Sequence, residues 1–205
     1  MWLRSGVGQD SSEEAPSRPL RADARRNVDA LVAAAKAVFA TSGVDAPVRE
    51  IAAKAGVGLG TLYRHFPRRS DLVTAVFRHE VDACADEAPV LAAECEPAEA
   101  LERWLYRCVD FVATKRGLAA ALHSGDPAFD ALPAYFERRF RPALAALLES
   151  AAAAGAIPAD LDAMELLQAV SGLCYATDAD RPDQARRMVA LLVDGLRYRA
   201  AERPR

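Results

Sequence analysis

From residue 28 onward, apolar side chains recur three and four positions apart, and the runs break at glycine or proline. That spacing lays an apolar stripe along one face of each of a series of α-helices. It does not suit strands, whose inward residues alternate. Val28, Leu31, Ala35, Val38 and Phe39 make the first stripe, over residues 23–42, and Gly43 stands where a helix stop belongs. Ile51, Ala52 and Ala55 share a face in the short segment ended by Gly56. A second short helix follows, closed by Pro67. Leu72, Val73, Val76, Phe77 and Val81 form a longer stripe whose predicted end is Pro89. Further helices are expected over 97–115, 117–123, 133–154, 162–176 and 182–200, with a turn at 124–127 and Pro142 a candidate kink. The fold class is therefore all-α, with about nine helices. Composition agrees: 45 of 205 residues are Ala, a strong helix former, and hydrophobic residues make up 52% of the chain.

Several other classes are excluded on the same pass. No run approaches the 18 apolar residues of a membrane span, and no basic segment leads into an apolar one as in a secretory signal. Cys84, Cys95, Cys108 and Cys174 lack paired spacing and read as reduced thiols of a cytoplasmic protein. Residues 1–20 are polar, contain two Pro and read as a disordered arm, with Trp2 and Leu3 its large apolar side chains. The net charge of −3 conceals an asymmetry. Residues 21–80 carry ten Arg and Lys against six acids, whereas residues 81–205 carry fourteen against twenty. A basic segment on an acidic body suits an anionic partner, nucleic acid first among them.

The run Val48-Arg-Glu-Ile-Ala-Ala-Lys-Ala-Gly-Val-Gly-Leu-Gly-Thr-Leu-Tyr-Arg-His-Phe66 has the physics of a helix-turn-helix. Ile51 and Ala52 pack inward, small Ala55 lets a second helix cross closely, and Gly56 accepts the positive φ of a tight turn. Val57 plugs the junction, and Leu62 and Phe66 return to the core. Leu59, Gly60, Thr61, Tyr63, Arg64 and His65 are left facing outward, where a major groove would lie.

With these residues the chain resembles the tetracycline-repressor (TetR) family of bacterial transcriptional regulators. The likeness spans about residues 25–72: Phe39-Ala-Thr-Ser-Gly43, Val48-Arg-Glu-Ile-Ala52, Ala55-Gly-Val57 and Gly60-Thr-Leu-Tyr-Arg-His-Phe66. The resemblance implies an all-α fold with an N-terminal three-helix DNA-binding domain at 21–68 (motif 48–67) and an effector-binding and dimerisation domain at 69–205. It implies that Tyr63 and His65 touch backbone phosphates, that Thr61 lies at the DNA surface, and that Arg25 and Arg26 meet the backbone. Arg64 is the candidate base reader, since Arg bonds guanine bidentately. Arg49, at the start of the first motif helix, reaches a phosphate or a groove edge; Lys54, Arg68 and Arg69 complete the phosphate set, and Leu59 and Gly60 permit close approach or meet a thymine methyl. Family members often place Ser or Thr after the Phe-Pro step. Here Arg68 and Arg69 stand there, so the cap of the next helix either shifts to Ser70 or is lost.

The resemblance also implies a small-molecule chamber in the second domain. Its candidate lining is Phe77, Trp104, Cys108, Phe111, His123, Tyr135, Phe136 and Phe140, although aromatic residues at helical spacing equally describe packed core. The candidate dimer seam is Met164, Leu167, Val170, Ser171 and Cys174 on one helix and Met188, Val189, Leu192 and Leu196 on the next. The alternative is that these seams close the subunit's own core. A two-fold homodimer would read a pseudo-palindromic double-stranded operator. No cofactor, metal or membrane partner is expected, and no enzyme. There is no phosphate loop after a strand and no Gly-x-Ser-x-Gly elbow, and His79, Asp82, Cys84 and Asp86 read better as a charged helix face than as metal ligands. The reading is a ligand-responsive DNA-binding repressor. Its alternative is a helical binding or scaffold protein without operator recognition.

Overall fold

The computed structural model describes residues 18–177 and 182–201. Residues 1–17 of the expected arm, Trp2 and Leu3 included, lie outside the described residues. Nine α-helices and one 3-10 turn (Pro127–Phe129) are present among those described, with no strand. The helices are α1 (Arg18–Ser42), α2 (Val48–Ala55), α3 (Leu59–His65), α4 (Arg69–Glu94), α5 (Pro97–Gly117), α6 (Ala119–Leu122), α7 (Leu132–Ala153), α8 (Ala163–Ala176) and α9 (Pro182–Ala201).

Two bounds depart from the periodicity. The first helix begins at Arg18, so residues 18–20 are helical rather than part of an arm. Pro19 falls in the first turn, where its missing N–H would be unpaired in any residue. The fourth helix does not stop at Pro89 but continues to Glu94. Pro89 points to solvent while Ala88 and Leu91 on the opposite side are buried. The packing face thus survives the loss of one hydrogen bond.

The helix α5 is the axis of the body, touching α1, α4, α7, α8 and α9. Fully buried Trp104 is at its centre. The Trp104 indole N–H donates to the carbonyl of Cys84 on α4 at 2.8 Å, and its ring lies 5.4 Å from that of Phe140 on α7. A buried donor of this size needs such a partner.

The helix α4 joins the two ends of the molecule. It packs on α1 on one side and on α5 and α7 on the other. Lys36 of α1 reaches buried Glu80 of α4 at 2.6 Å. On the opposite flank, Asp82 accepts from the Tyr135 hydroxyl at 2.6 Å and from Arg139 at 2.7 Å, and Arg139 also reaches Asp86. Burial, reinforced by the Asp82 bond, pushes the Tyr135 hydroxyl above its usual pKa. These contacts occupy Asp82 and Asp86, the carboxylates considered above as metal ligands.

Candidate nucleic-acid interface and small-molecule cavity

The turn between α2 and α3 follows from one glycine. Gly56 has φ +69°, in the left-handed region. Its N–H donates to the Ala53 carbonyl (3.2 Å) and that of Val57 to the Ala52 carbonyl (3.0 Å). This pair of bonds closes α2 as a Schellman cap and turns the chain sharply. Leu62 then anchors α3, with Phe66 buried just beyond its end, while Ile51 and Ala52 anchor α2. With that side committed, α3 presents the other. Leu59 is 45% exposed and Tyr63 51% exposed, one turn apart, with Gly60 and Arg64 beside them. Thr61 and His65 are half-buried at the flanks.

The cations divide into two groups. Arg25, Arg49, Lys54 and Arg64 are exposed, and Arg26 is exposed while paired with Asp23. Arg68 is exposed but bound to Asp71 by two nitrogens, at 2.8 and 3.3 Å. Asp71 also accepts from the Arg68 backbone N–H at 3.0 Å. Asp71, three residues into the helix start, thus makes the reciprocal half of a capping box with the Arg68 N–H, while neither Arg68 nor Ser70 supplies a side-chain cap to the first turn of α4. The Arg68 guanidinium holds the Asp71 carboxyl below its usual value. Arg69 corrects an expectation. Its guanidinium turns inward to the carbonyls of Val44 and Ala46 in the loop before α2 (2.8 Å to the latter), so it braces the domain rather than a phosphate.

A cavity of about 390 Å³ opens among α4, α5, α6, the 3-10 turn, α7 and α8. Of the eight residues expected to line it, Phe77, Phe111, Phe136 and His123 do so. Trp104, Cys108 and Phe140 are instead fully buried core, and Tyr135 turns to Asp82. Burial drives the Cys108 thiol well above its usual pKa, helped by a hydrogen bond with Cys84, so it has no thiolate character. The sequence reading missed Lys115 and Glu137 at the cavity, and also Phe129 and Met164. Lys115 is one helical turn past Phe111 and was legible from that spacing. Phe129 sits in a loop, where no periodicity points to it. A larger groove of about 530 Å³, between α7 and residues 158–163, is walled mainly by alanines and charged side chains and lacks the aromatic floor.

The seam on α8 and α9 also needs correction. Leu167, Val170, Cys174, Val189 and Leu196 are buried within the subunit, where α8 and α9 both pack on α5. Met164 faces the cavity, and Ser171, Met188 and Leu192 are half-buried. The outer faces carry Leu191 (62% exposed), Tyr198 (65%) and two glycines, Gly172 and Gly195. A Cβ on either glycine would meet nothing within 4 Å inside the subunit.

The family model for bacterial regulatory proteins of the tetR family matches residues 31–76, and the model for the C-terminal domain of SbtR-like transcriptional regulators matches residues 96–198. A solved TetR transcriptional regulator from Streptomyces coelicolor is 40% identical, with TM-score 0.73, over 83% of this chain and 98% of that one. A TetR regulatory protein from Mycobacterium vanbaalenii is 36% identical, with TM-score 0.67, over 87% of this chain and 99% of that one. An HTH-type transcriptional regulator of Staphylococcus aureus strain USA300 is 38% identical over 64 residues, 31% of this chain. The match spans only 35% of that curated relative's length.

Proposed function

This chain belongs to the TetR family of bacterial transcriptional regulators, and we propose that it is a ligand-responsive repressor, a homodimer that holds a pseudo-palindromic operator through α2 and α3 and releases it when a small molecule enters the cavity. The observation that carries the reading is the outward face of α3. Leu59 and Tyr63 are large, partly apolar side chains left open on a helix anchored to the core through Leu62, with Arg64 exposed beside them and Arg49 and Lys54 exposed on α2. Such a face fits a groove, with Arg64 at base edges and Tyr63, Arg49 and Lys54 at phosphates. Neutralised phosphates release counter-ions, so binding falls steeply with salt.

Two helices run from the cavity toward the N-terminal helices, α4 to α3 and α5 to α1. Phe77 of the cavity lies on α4, whose first turn adjoins α3. The helix that carries Phe111 and Lys115 ends at Gly117, where a Cβ would stand 3.5 Å from the Phe39 carbonyl of α1. A ligand that shifts either helix reorients the reading head. The outer faces of α8 and α9, with their exposed Leu191 and Tyr198 and their open glycines, suit a four-helix dimer contact. No helix of the described residues is long and apolar enough to cross a membrane.

Selection of bound duplexes from a random library gives the operator. Fluorescence anisotropy on that operator then compares the parent with Tyr63→Ala/Arg64→Ala. Loss of specific binding by the folded double variant is expected. Parental affinity in that variant, or no enriched sequence at all, overturns the reading.

A further inference from the structure

We propose that the cavity selects a small planar aromatic anion, with Lys115 as its counter-ion. The inference rests on the cavity being the effector site and adds the chemical class of the effector. The wall supplies the aromatic preference. Phe111 and Phe136 lie nearly parallel, 5.6 Å apart with 17° between planes, and Phe77 meets Phe111 edge-on at 5.8 Å. Phe136 is only half-buried, so part of its ring remains for a ligand. Offset stacking favours a flat partner over a branched one. About 390 Å³ accommodates one or two fused rings with a short substituent.

The charge comes from counting what the polar groups at the cavity already do. Three charged or polar side chains reach it: Lys115, His123 and Glu137. Glu137 is engaged by two nitrogens of Arg141, at 2.6 and 3.1 Å. His123 is exposed and spends Nδ1 on the Ala119 carbonyl at 2.8 Å. Lys115 is half-buried and meets no carboxylate among the described residues; its ammonium lies 6.0 Å from the Tyr175 ring. The Arg116 guanidinium stands 5.4 Å from that same ring, donates to the Thr177 carbonyl and meets no carboxylate among the described residues. A partly desolvated cation beside apolar walls is stabilised by an anion delivered with apolar surface. An amine faces like charge there, and a polyol finds too few partners.

The test uses the full chain and four probes: naphthoate, naphthylmethanol, naphthylmethylamine and decanoate. Trp104 serves as reporter, since its ring packs on Phe140, which lies tilted against Phe136 at 4.3 Å; calorimetry confirms each affinity. Naphthoate is expected to bind roughly tenfold or more tighter than the alcohol, the scale of one charge-assisted bond. The amine and decanoate are expected to be weaker still. Lys115→Met, which keeps the side-chain stem, abolishes the preference for naphthoate while leaving the alcohol's affinity unchanged, and Lys115→Arg restores the preference. Equal binding of the amine or of decanoate, an undiminished preference in Lys115→Met, or no binding of any probe overturns the proposal. Operator binding is followed in parallel. A protein that shows the Lys115-dependent preference without binding DNA keeps this inference and loses the repressor reading. One that binds its operator and ignores all four probes loses this inference alone.

Discussion

The pair Lys36–Glu80 offers the sharpest test of how the reading head is bolted to the body. Glu80 is buried in α4, its side chain 7% exposed, and the α1 ammonium of Lys36 lies 2.6 Å from its carboxylate. Removing one partner of a fully buried pair costs about 3–5 kcal/mol, because the other charge is left without compensation. Here the Lys36 side chain is 42% exposed, so water reaches one end of the pair. The loss in Lys36→Met is therefore expected nearer that of a single charge-assisted hydrogen bond, about 2 kcal/mol. In a chain of this size that lowers the melting temperature by roughly 4–8 °C. Lys36→Met with Glu80→Leu removes both charges and is expected to return to within about 1 kcal/mol of the parent. Urea and thermal unfolding at one fixed protein concentration measure both, since self-association shifts apparent stability. A lysine variant within about 0.5 kcal/mol of the parent, or a double variant as unstable as the singles combined, refutes the argument that this pair holds α1 to α4.

Four further outcomes follow from particular side chains. Gly195→Ala adds a Cβ that meets nothing inside the subunit. It should strengthen α9 by up to about 1 kcal/mol yet weaken self-association, measured by sedimentation, if the outer face is the dimer contact; unchanged association counts against that face. Asp162 caps α8 through the N–H groups of Glu165 (3.0 Å) and Met164 (2.8 Å), which hold its carboxyl below the usual value. Its contribution is thus complete above the unfolded pKa of about 3.9 and is lost as pH falls through the lower folded value. Asp162→Asn, which caps without titrating, should match the parent at pH 6 and melt higher than it near pH 3; the reverse order in thermal melts sinks the assignment. Arg69→Ala should lower thermal stability by about 1–2 kcal/mol through the orphaned loop carbonyls, and Arg49→Ala should leave stability alone while reducing operator affinity and its salt slope by about one phosphate.

The helix-turn-helix was legible because close packing dictates residue types at fixed positions. A left-handed turn wants glycine, and Gly56 has that φ; the crossing wants small and apolar side chains, and Ala52 and Leu62 are buried there. Arg69 was not legible. Arg68 and Arg69 are adjacent and identical, and only the loop at Val44–Ala46, 23 to 25 residues away, decides that one braces carbonyls while its neighbour stays outside. The cavity shows the same division. Phe111, Phe136, Trp104 and Phe140 all fit helical stripes, yet Phe111 and Phe136 reach the cavity while Trp104 and Phe140 are sealed between α5 and α7.

By itself, then, the sequence determined where the helices lie, where the tight turn comes and which short helix offers a reading face. Those depend on local periodicity and on single-residue backbone preferences. The tertiary structure decided which stripe each helix turns inward. On α8 and α9 the most apolar stripe is the one α5 covers, so the outward face is the plainer one bearing Leu191, Gly195 and Tyr198. A helix's period is a property of its own residues, whereas burial depends on what stands opposite, and here that is a helix some sixty to ninety residues earlier in the chain.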